Sequence, residues 1–398
     1  MPNLPIPPVM RGMDAGSFAE DTIVRRLPEI ALRVLSENRF DETTNQRLRR
    51  LADDLPHGRI RPLLDGNAPD WPDWQTALQP FLGQTWLEAP LFAAEIYFYR
   101  RILEATGYFQ PGVGYGLDPY RQQKGLGLAQ AGSTIAQTLP PQQFAGKEQL
   151  RSLILMSLWG NQADLSLWPV QGDSGGRAQG GGGETHLVAD QSAAALPYIM
   201  ELADGRVDMI LDNSGTELLI DLLLADALLA LNPSFSLRLH VKPHPVFVSD
   251  AIAADVTQAL SWLKNGAHAW AQPAAQRLEQ AERDDRIQVT SHYYWASPYP
   301  AWMAPPDLWA ELAGSKLLVS KGDVNYRRWL GDACWVAATP LEAIINPPAP
   351  LLLLRVSKSE TVAGLAPGQA DALFARDPSW HINGHWGMVQ FVMPKKQN

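Results

Sequence analysis

The chain has one cysteine, Cys334, among 398 residues. No intrachain disulfide can form, which excludes a disulfide-stapled scaffold and suits a reducing compartment. Basic residues are also in short supply: 33 Lys and Arg face 42 Asp and Glu, a net charge of -9. That balance argues against a general nucleic-acid binder, which carries a basic stripe. It leaves room for a small anionic ligand, because local field matters more than net charge. Long apolar runs are missing too. The greasiest stretch, Leu218 to Leu231, is broken by Asp221 and Asp226, and nothing reaches the ~18 apolar residues of a membrane span. The opening MPNLPIPPVMRGMDAGSFAED lacks the apolar core of a signal peptide. A soluble, cytoplasmic protein with no membrane partner is expected. Nucleotide and nucleophile signatures are lacking as well: there is no GxxxxGKS or GxxxxGKT loop and no GxSxG elbow. A glycine run, QGDSGGRAQGGGGE at 171–184, leads into a strand-like segment instead of opening a helix. It therefore reads as a surface insertion rather than a dinucleotide loop.

What is present divides in two. The first ~150 residues are helical in pattern. From Ser17 to Asn38, apolar Phe18, Ile23, Leu27, Ile30, Val34 and Leu35 recur at near-helical spacing, with Pro28 placed to kink or split the segment. Further helices are expected over Trp74 to Phe81 and Leu91 to Ala105, the latter apolar on most sides. From about residue 151 to 398, short apolar runs alternate with helical patterns. LILMSLW (153–159), HLVAD (186–190), VDMILD (207–212), SLRLHV (236–241), IQVT (287–290), KLLVSK (316–321), LLLLRV (351–356) and VQFVM (389–393) all read as strands. Continuous rather than alternating apolar runs indicate strands covered on both faces. The expected fold is α/β: a three-layer α/β/α sandwich with a mostly parallel sheet, preceded by an N-terminal helical subdomain over 1–150.

Ligands in such sheets bind beyond the strand carboxyl ends, and there the chemistry concentrates. Gly160, Asn161 and Asp164 follow the first run. Asp212 and Asn213, with Glu217 one turn later, follow the third. Lys242 to Asp250 follow the fourth. Lys321, Asp323, Asn325 and Arg327 cluster after the sixth, and Ser357 and Lys358 after the seventh. Carboxylate and amide oxygens suit a hard divalent cation, and Lys and Arg suit a phosphate. Together these are the equipment of phosphoryl transfer. Taken singly, each residue has a plainer reading. Asp212 and Asn213 can cap the helix that starts near Gly215, and Asp250 can cap the next. Lys321 and Arg327 can be solvated charges, and Asp221 and Asp226 read as paired residues. His240 and His244 stand four apart, but Pro243 and Pro245 forbid the helix that would make this a zinc site. Cys334, with an apolar flank after it, reads as a buried structural thiol.

Taken together the motifs resemble a known family. LWGNQADLSLW (158–168), LDNSGTELLIDLLLADALL (211–229), VKPHPVFVSDA (241–251), SKGDVNYRRWLGD (320–332) and LRVSK (354–358) occur in order. SFAEDTIVRRLPEI, APLFAAEIYFYRRI, DPYRQQK and HWGMVQF join them, so the likeness spans nearly the whole chain. They resemble the damage-control phosphatases, formerly domain of unknown function 89 and also called acidic residue methyltransferase 1-like. The resemblance implies a metal held by Asp212, Asn213 and Asp250, Mn²⁺ or another divalent ion such as Mg²⁺, Co²⁺ or Ni²⁺. It implies a substrate site of Glu217, Asn161, Lys321, Asp323, Asn325, Arg327 and Lys358, and hydrolysis of a small phosphate ester such as fructose 1-phosphate. The departures are Val356, which stands where the family's RTxK motif has Thr, and the glycine-rich insertion. The alternative is an S-adenosylmethionine-dependent carboxyl methyltransferase. That activity would want a glycine turn after the first strand, which Gly160-Asn161 does not supply.

Overall fold

A computed structural model describes residues 1–55, 57–138, 146–160, 186–266, 268 and 270–395. Seven strands form one sheet: β1 (Leu187–Asp190), β2 (Gly205–Ile210), β3 (Phe235–Val241), β4 (Ile287–Ser291), β5 (Leu317–Lys321), β6 (Leu351–Val356) and β7 (Gly387–Val392). Their order is β1-β7-β6-β5-β2-β3-β4. The pairs from β4 to β6 are all parallel, β7 runs antiparallel to β6, and β1 is parallel to β7. The α/β expectation holds.

Residue alternation shows why the strands are apolar throughout. On β6, Leu352, Leu354 and Val356 enter one core and Leu351 and Leu353 the other. Successive side chains point to opposite faces, so a strand buried on both sides needs an apolar residue at every step. The first core includes the helix Thr216–Leu231, whose residues are buried nearly all round. The opposite core is closed in part by the helix Gly322–Leu330. A third cluster joins the helices Leu27–Glu37, Glu42–Asp54 and Leu91–Thr106, and Val246, from the segment after β3, is buried within it.

Two expectations are corrected. LILMSLW is not a strand but the end of the helix Lys147–Trp159, with all seven residues buried. A seven-residue apolar run fits either state; here the preceding Lys147, Glu148 and Gln149 are good helix formers, and only Ile154 is β-branched. Cys334 is exposed, between buried Ala333 and Trp335. Pro28 does split its segment. A π-helical turn, Thr22–Arg26, runs directly into the helix Leu27–Glu37, and the widened turn accommodates the missing Pro28 N–H.

Candidate active site

Asp212 and Asn213 leave the carboxyl end of β2, and Asp250 closes the segment that follows β3. A short antiparallel bridge joins Asn213 to Asp250. It is pinned by Ser214 N–H donating to the Ser249 carbonyl and Ala251 N–H to the Asp212 carbonyl, both at 2.7 Å. Reaching it forces Phe247 and Val248 to φ of 49° and 64°, a strained region for a branched residue. Packing offsets the strain. Val246 is buried, and the Phe247 ring lies 4.9 Å from that of Tyr99. At the start of the segment, His244 Nε2 stands 3.4 Å from Asp70 Oδ2, which also accepts from Arg100 Nε at 2.7 Å.

Neither acid serves as a helix cap. The caps are Gly215 and Ile252, and Asp255 takes the Ile252 N–H instead. The side chains of the pair are thus free for other work. Asn213 Nδ2 donates to Asp212 Oδ2 at 2.7 Å and Glu217 Oε2 at 2.8 Å, while its oxygen accepts from Ser249 Oγ at 2.5 Å. Asp250 meets the Lys242 ammonium at 3.2 Å. Asp212 is 6% exposed, and its Oδ1 has no hydrogen-bond partner among the described residues. Burial first, then Asp250 and Glu217, push the Asp212 carboxyl well above its usual range, against Lys242 and Lys358. Burial also raises Asp250, with Lys242 opposing it.

Two glycines allow this crowding. Gly322, at φ 83°, sits so close that a Cβ would lie 1.9 Å from Asp212 Oδ2. Gly160, ending the helix Lys147–Trp159, would place a Cβ 2.9 Å from Glu217 Cα. Next to Gly322, Asp323 accepts from Arg355 Nε at 2.7 Å, Ser359 Oγ at 3.1 Å and Lys358 N–H at 3.3 Å. Burial works against the Asp323 charge, but Arg355 and Arg327 outweigh it and hold the carboxyl below its usual range. Asp323 thereby fixes the backbone from which Lys358 projects.

One cavity of ≈120 Å³ gathers Asp212, Asn213, Glu217, Asp250, Asp323, Arg327 and Lys358. Lys321 and Asn325 are not in its wall. The Lys321 ammonium lies behind Glu217, 2.8 Å from Oε1, and also meets Asp221 at 3.1 Å and the Ser157 carbonyl at 2.5 Å. Three groups around one ammonium leave it no approach to a phosphate. Asn325 donates to the carbonyls of Leu211 and Lys321, so its work is to hold strand ends together. Arg327 lines the cavity but is already paired with Glu95 at 2.6 Å and Asp332 at 2.7 Å. Asn161, Asp164 and the glycine run lie outside the described residues.

Sequence reasoning missed the lid side of the cavity. Phe18, Arg26, Glu95 and Tyr99, all from the N-terminal helices, line it with the strand-end residues. They lie in SFAEDTIVRRLPEI and APLFAAEIYFYRRI, segments that carry the family resemblance, but their placement over the sheet edge is a tertiary event that no local pattern assigns to the site. The one hint was Pro28: the π-turn ahead of it ends on Arg26, and such turns recur at functional sites.

The donor set suits the expected cation. No group of three or more His, Cys, Asp or Glu able to hold a metal occurs among the described residues; the set here is two carboxylates and an amide. All are hard oxygen donors. The Asn213 amide hydrogens occupy the space between two carboxylates, and a buried carboxylate oxygen is left without a partner. A partner, proton or cation, is what this oxygen lacks.

Damage-control phosphatase ARMT1 of Homo sapiens is 29% identical over 98% of this chain and 99% of its own length. The protein of that name from Mus musculus is 30% identical over the same shares. A solved structure of a DUF89 family protein from Pyrococcus horikoshii superposes with a TM-score of 0.49 at 12% identity, covering 94% of this chain and 98% of that one. The family model for the damage-control phosphatase ARMT1-like domain matches residues 22–373, from the π-turn that carries Arg26 to beyond Lys358. The chain belongs to the damage-control phosphatase ARMT1-like family.

Proposed function

We propose that this chain is a cytoplasmic, metal-dependent phosphatase that hydrolyses small phosphometabolites, sugar phosphates of the fructose 1-phosphate kind. Asp212, Asn213 and Asp250 would hold a divalent cation, Mn²⁺ or a similar ion. The observation that carries the reading is Asp212 Oδ1: a buried, unpartnered carboxylate oxygen in the same cavity as Asp250 and Lys358. When bound, the cation would neutralise the acids and polarise a phosphoryl oxygen.

The rest falls to the side chains. Lys358 is half-buried with no ion pair among the described residues, so its ammonium is available to a phosphate. Asp323 orients it through the backbone. Lys242 and Lys321 balance Asp250 and Glu217 from behind, so the acids tolerate burial without a cation entering on that side. Phe18, Tyr99 and Phe247 give the cavity an apolar wall, which strengthens each electrostatic contact beside it. Val356 and Leu354 line the wall near Lys358, an apolar surface for the carbon skeleton of the ester where the family motif has a hydroxyl. The methyltransferase alternative is not favoured. The segment before Gly160 is a helix, and β1 runs into Asp190, Gln191 and Ser192 with no glycine turn.

Phosphate release would be measured across a panel of sugar phosphates, after chelation and with Mn²⁺, Mg²⁺, Co²⁺ or Ni²⁺ restored. Turnover should require a divalent ion and vanish in Asp212→Ala, with the circular dichroism spectrum unchanged. Inactivity on every ester with every metal, or full activity in Asp212→Ala, would overturn the reading.

A further inference from the structure

A second cleft, of ≈690 Å³, opens in the N-terminal helical part. None of its lining residues belongs to the cavity around Asp212. Its walls come from the helix Glu42–Asp54, the segment that follows it, and the helix Leu91–Thr106. Five arginines line it against three acids, in a chain whose net charge is -9. The local sign is therefore opposite to the global one, and local field governs which small ions collect there.

Two of the three acids are turned inward. Glu104 accepts from Arg61 at 2.5 Å, from Arg101 at 3.0 Å and from the Leu64 N–H at 2.5 Å. Asp65 meets Arg100, at 2.8 Å, which lies behind the cleft wall. Arg47 and Arg50 stand three apart on one helix, so they share a face. Both are exposed, and neither has an acidic partner within ion-pair distance among the described residues. Arg59 donates to the Gly83 carbonyl at 2.5 Å and has no ion pair among the described residues. Asp54 is the one lining carboxylate left without an ion pair among the described residues. Three open guanidinium forks around a concavity of small-ligand size are the arrangement that recognises phosphate oxygens.

We propose that this cleft binds a small anion carrying two or more phosphates, with Arg47, Arg50 and Arg59 as its principal contacts. The site is separate from the hydrolytic cavity and does not depend on the activity assigned there. Its volume suits a compact metabolite rather than an extended polymer.

The test is calorimetric titration of the full chain with inorganic pyrophosphate in the presence of a chelator, at low and at raised salt. Wild type and Lys358→Ala should bind alike. The double variant Arg47→Ala/Arg50→Ala should lose affinity roughly tenfold or more, since each lost contact is charge-assisted. Binding should weaken as salt rises. Both arginines are exposed, so the double variant should keep the wild-type melting profile; Arg47→Lys/Arg50→Lys should recover part of the affinity by restoring charge. The proposal is overturned if wild type binds no pyrophosphate, if the double variant binds as wild type does, or if only Lys358→Ala loses binding. The last result would place the anion in the hydrolytic cavity.

Discussion

Replacing Gly322 with Ala tests the site at its tightest point. The residue holds φ 83°, and its missing Cβ would lie 1.9 Å from Asp212 Oδ2 and 2.1 Å from Cγ. Two costs follow. An alanine in the left-handed region is strained by about 1–2 kcal/mol. The overlap must also be relieved, and the backbone of Gly322 is fixed between β5 and its helix, so the Asp212 carboxylate moves. Going from 1.9 Å to beyond 3.0 Å is a shift of more than 1 Å, which breaks the 2.7 Å contact with Asn213. A displacement of that size in a catalytic group typically costs about 100-fold in rate. Gly368 supplies the control: it has φ 76° and nothing within 4 Å of a Cβ. Gly368→Ala carries the strain without the clash. In a metal-supplemented phosphatase assay with parallel thermal melts, both variants should melt somewhat lower than wild type. Only Gly322→Ala should lose about 100-fold in kcat/KM. Equal activity in the two variants would refute the claim that the position of Asp212 matters to turnover.

Other expectations follow from neighbouring contacts. Arg26→Ala should raise KM about 5- to 30-fold with little change in kcat, since a rim cation contributes binding of about 1–2 kcal/mol; a fall in kcat alone would contradict this. Lys321→Met leaves Glu217 and Asp221 buried without their cation and should destabilise by about 3–5 kcal/mol in denaturant titration, with Glu217→Gln/Asp221→Asn recovering part of the loss. Asp70 is a pH probe. Burial disfavours its charge, but His244 and Arg100 reverse that and bring its carboxyl down to about 2. A carboxyl depressed on folding stabilises above its unfolded value and loses that stability as pH falls through the folded one. Asp70→Asn should therefore cost about 2 kcal/mol at pH 7. The difference should shrink from pH ~4 and vanish near pH 2, as read from melts across that range.

Much of the sheet was legible because burial on both faces leaves a strong mark. The central strands coincide with apolar runs bounded by polar strand ends, β6, LLLLRV, most clearly, while the edge strand β4, IQVTS, is largely exposed and carries a weaker mark. The failure at LILMSLW has the same origin. A helix buried on every side writes the same apolar run as a central strand, and only length and flanking residues separate them. At the site, Asp212, Asn213, Glu217, Asp250, Asp323, Arg327 and Lys358 were legible as strand-end chemistry and do share a cavity. Lys321 shows the limit of that reasoning. It too ends a strand, yet its side chain turns back toward Asp221 on the neighbouring helix. Strand-end position tells where a residue starts, not which way its side chain points. Arg26, Glu95 and Tyr99 fall in segments that carry the family resemblance, yet nothing local dictates that their helices cover the sheet edge, so strand-end reasoning did not place them at the site.

The direction of Lys321 has a physical logic. Crowding Asp212, Glu217 and Asp250 in a buried place is costly unless charge is matched nearby. The match is built from behind: Lys242 lies against Asp250 and Lys321 against Glu217 and Asp221. Asp212, by contrast, has no ion-pair partner among the described residues; its contacts are the Asn213 amide and the face of Gly322. A lysine placed against it as well would remove the carboxylate that the proposed cation would meet. Leaving one carboxylate unmatched, in front, concentrates the missing charge at a single point of the cavity. The bridge that strains Phe247 and Val248 and the missing Cβ at 322 are what fix the position of Asp212.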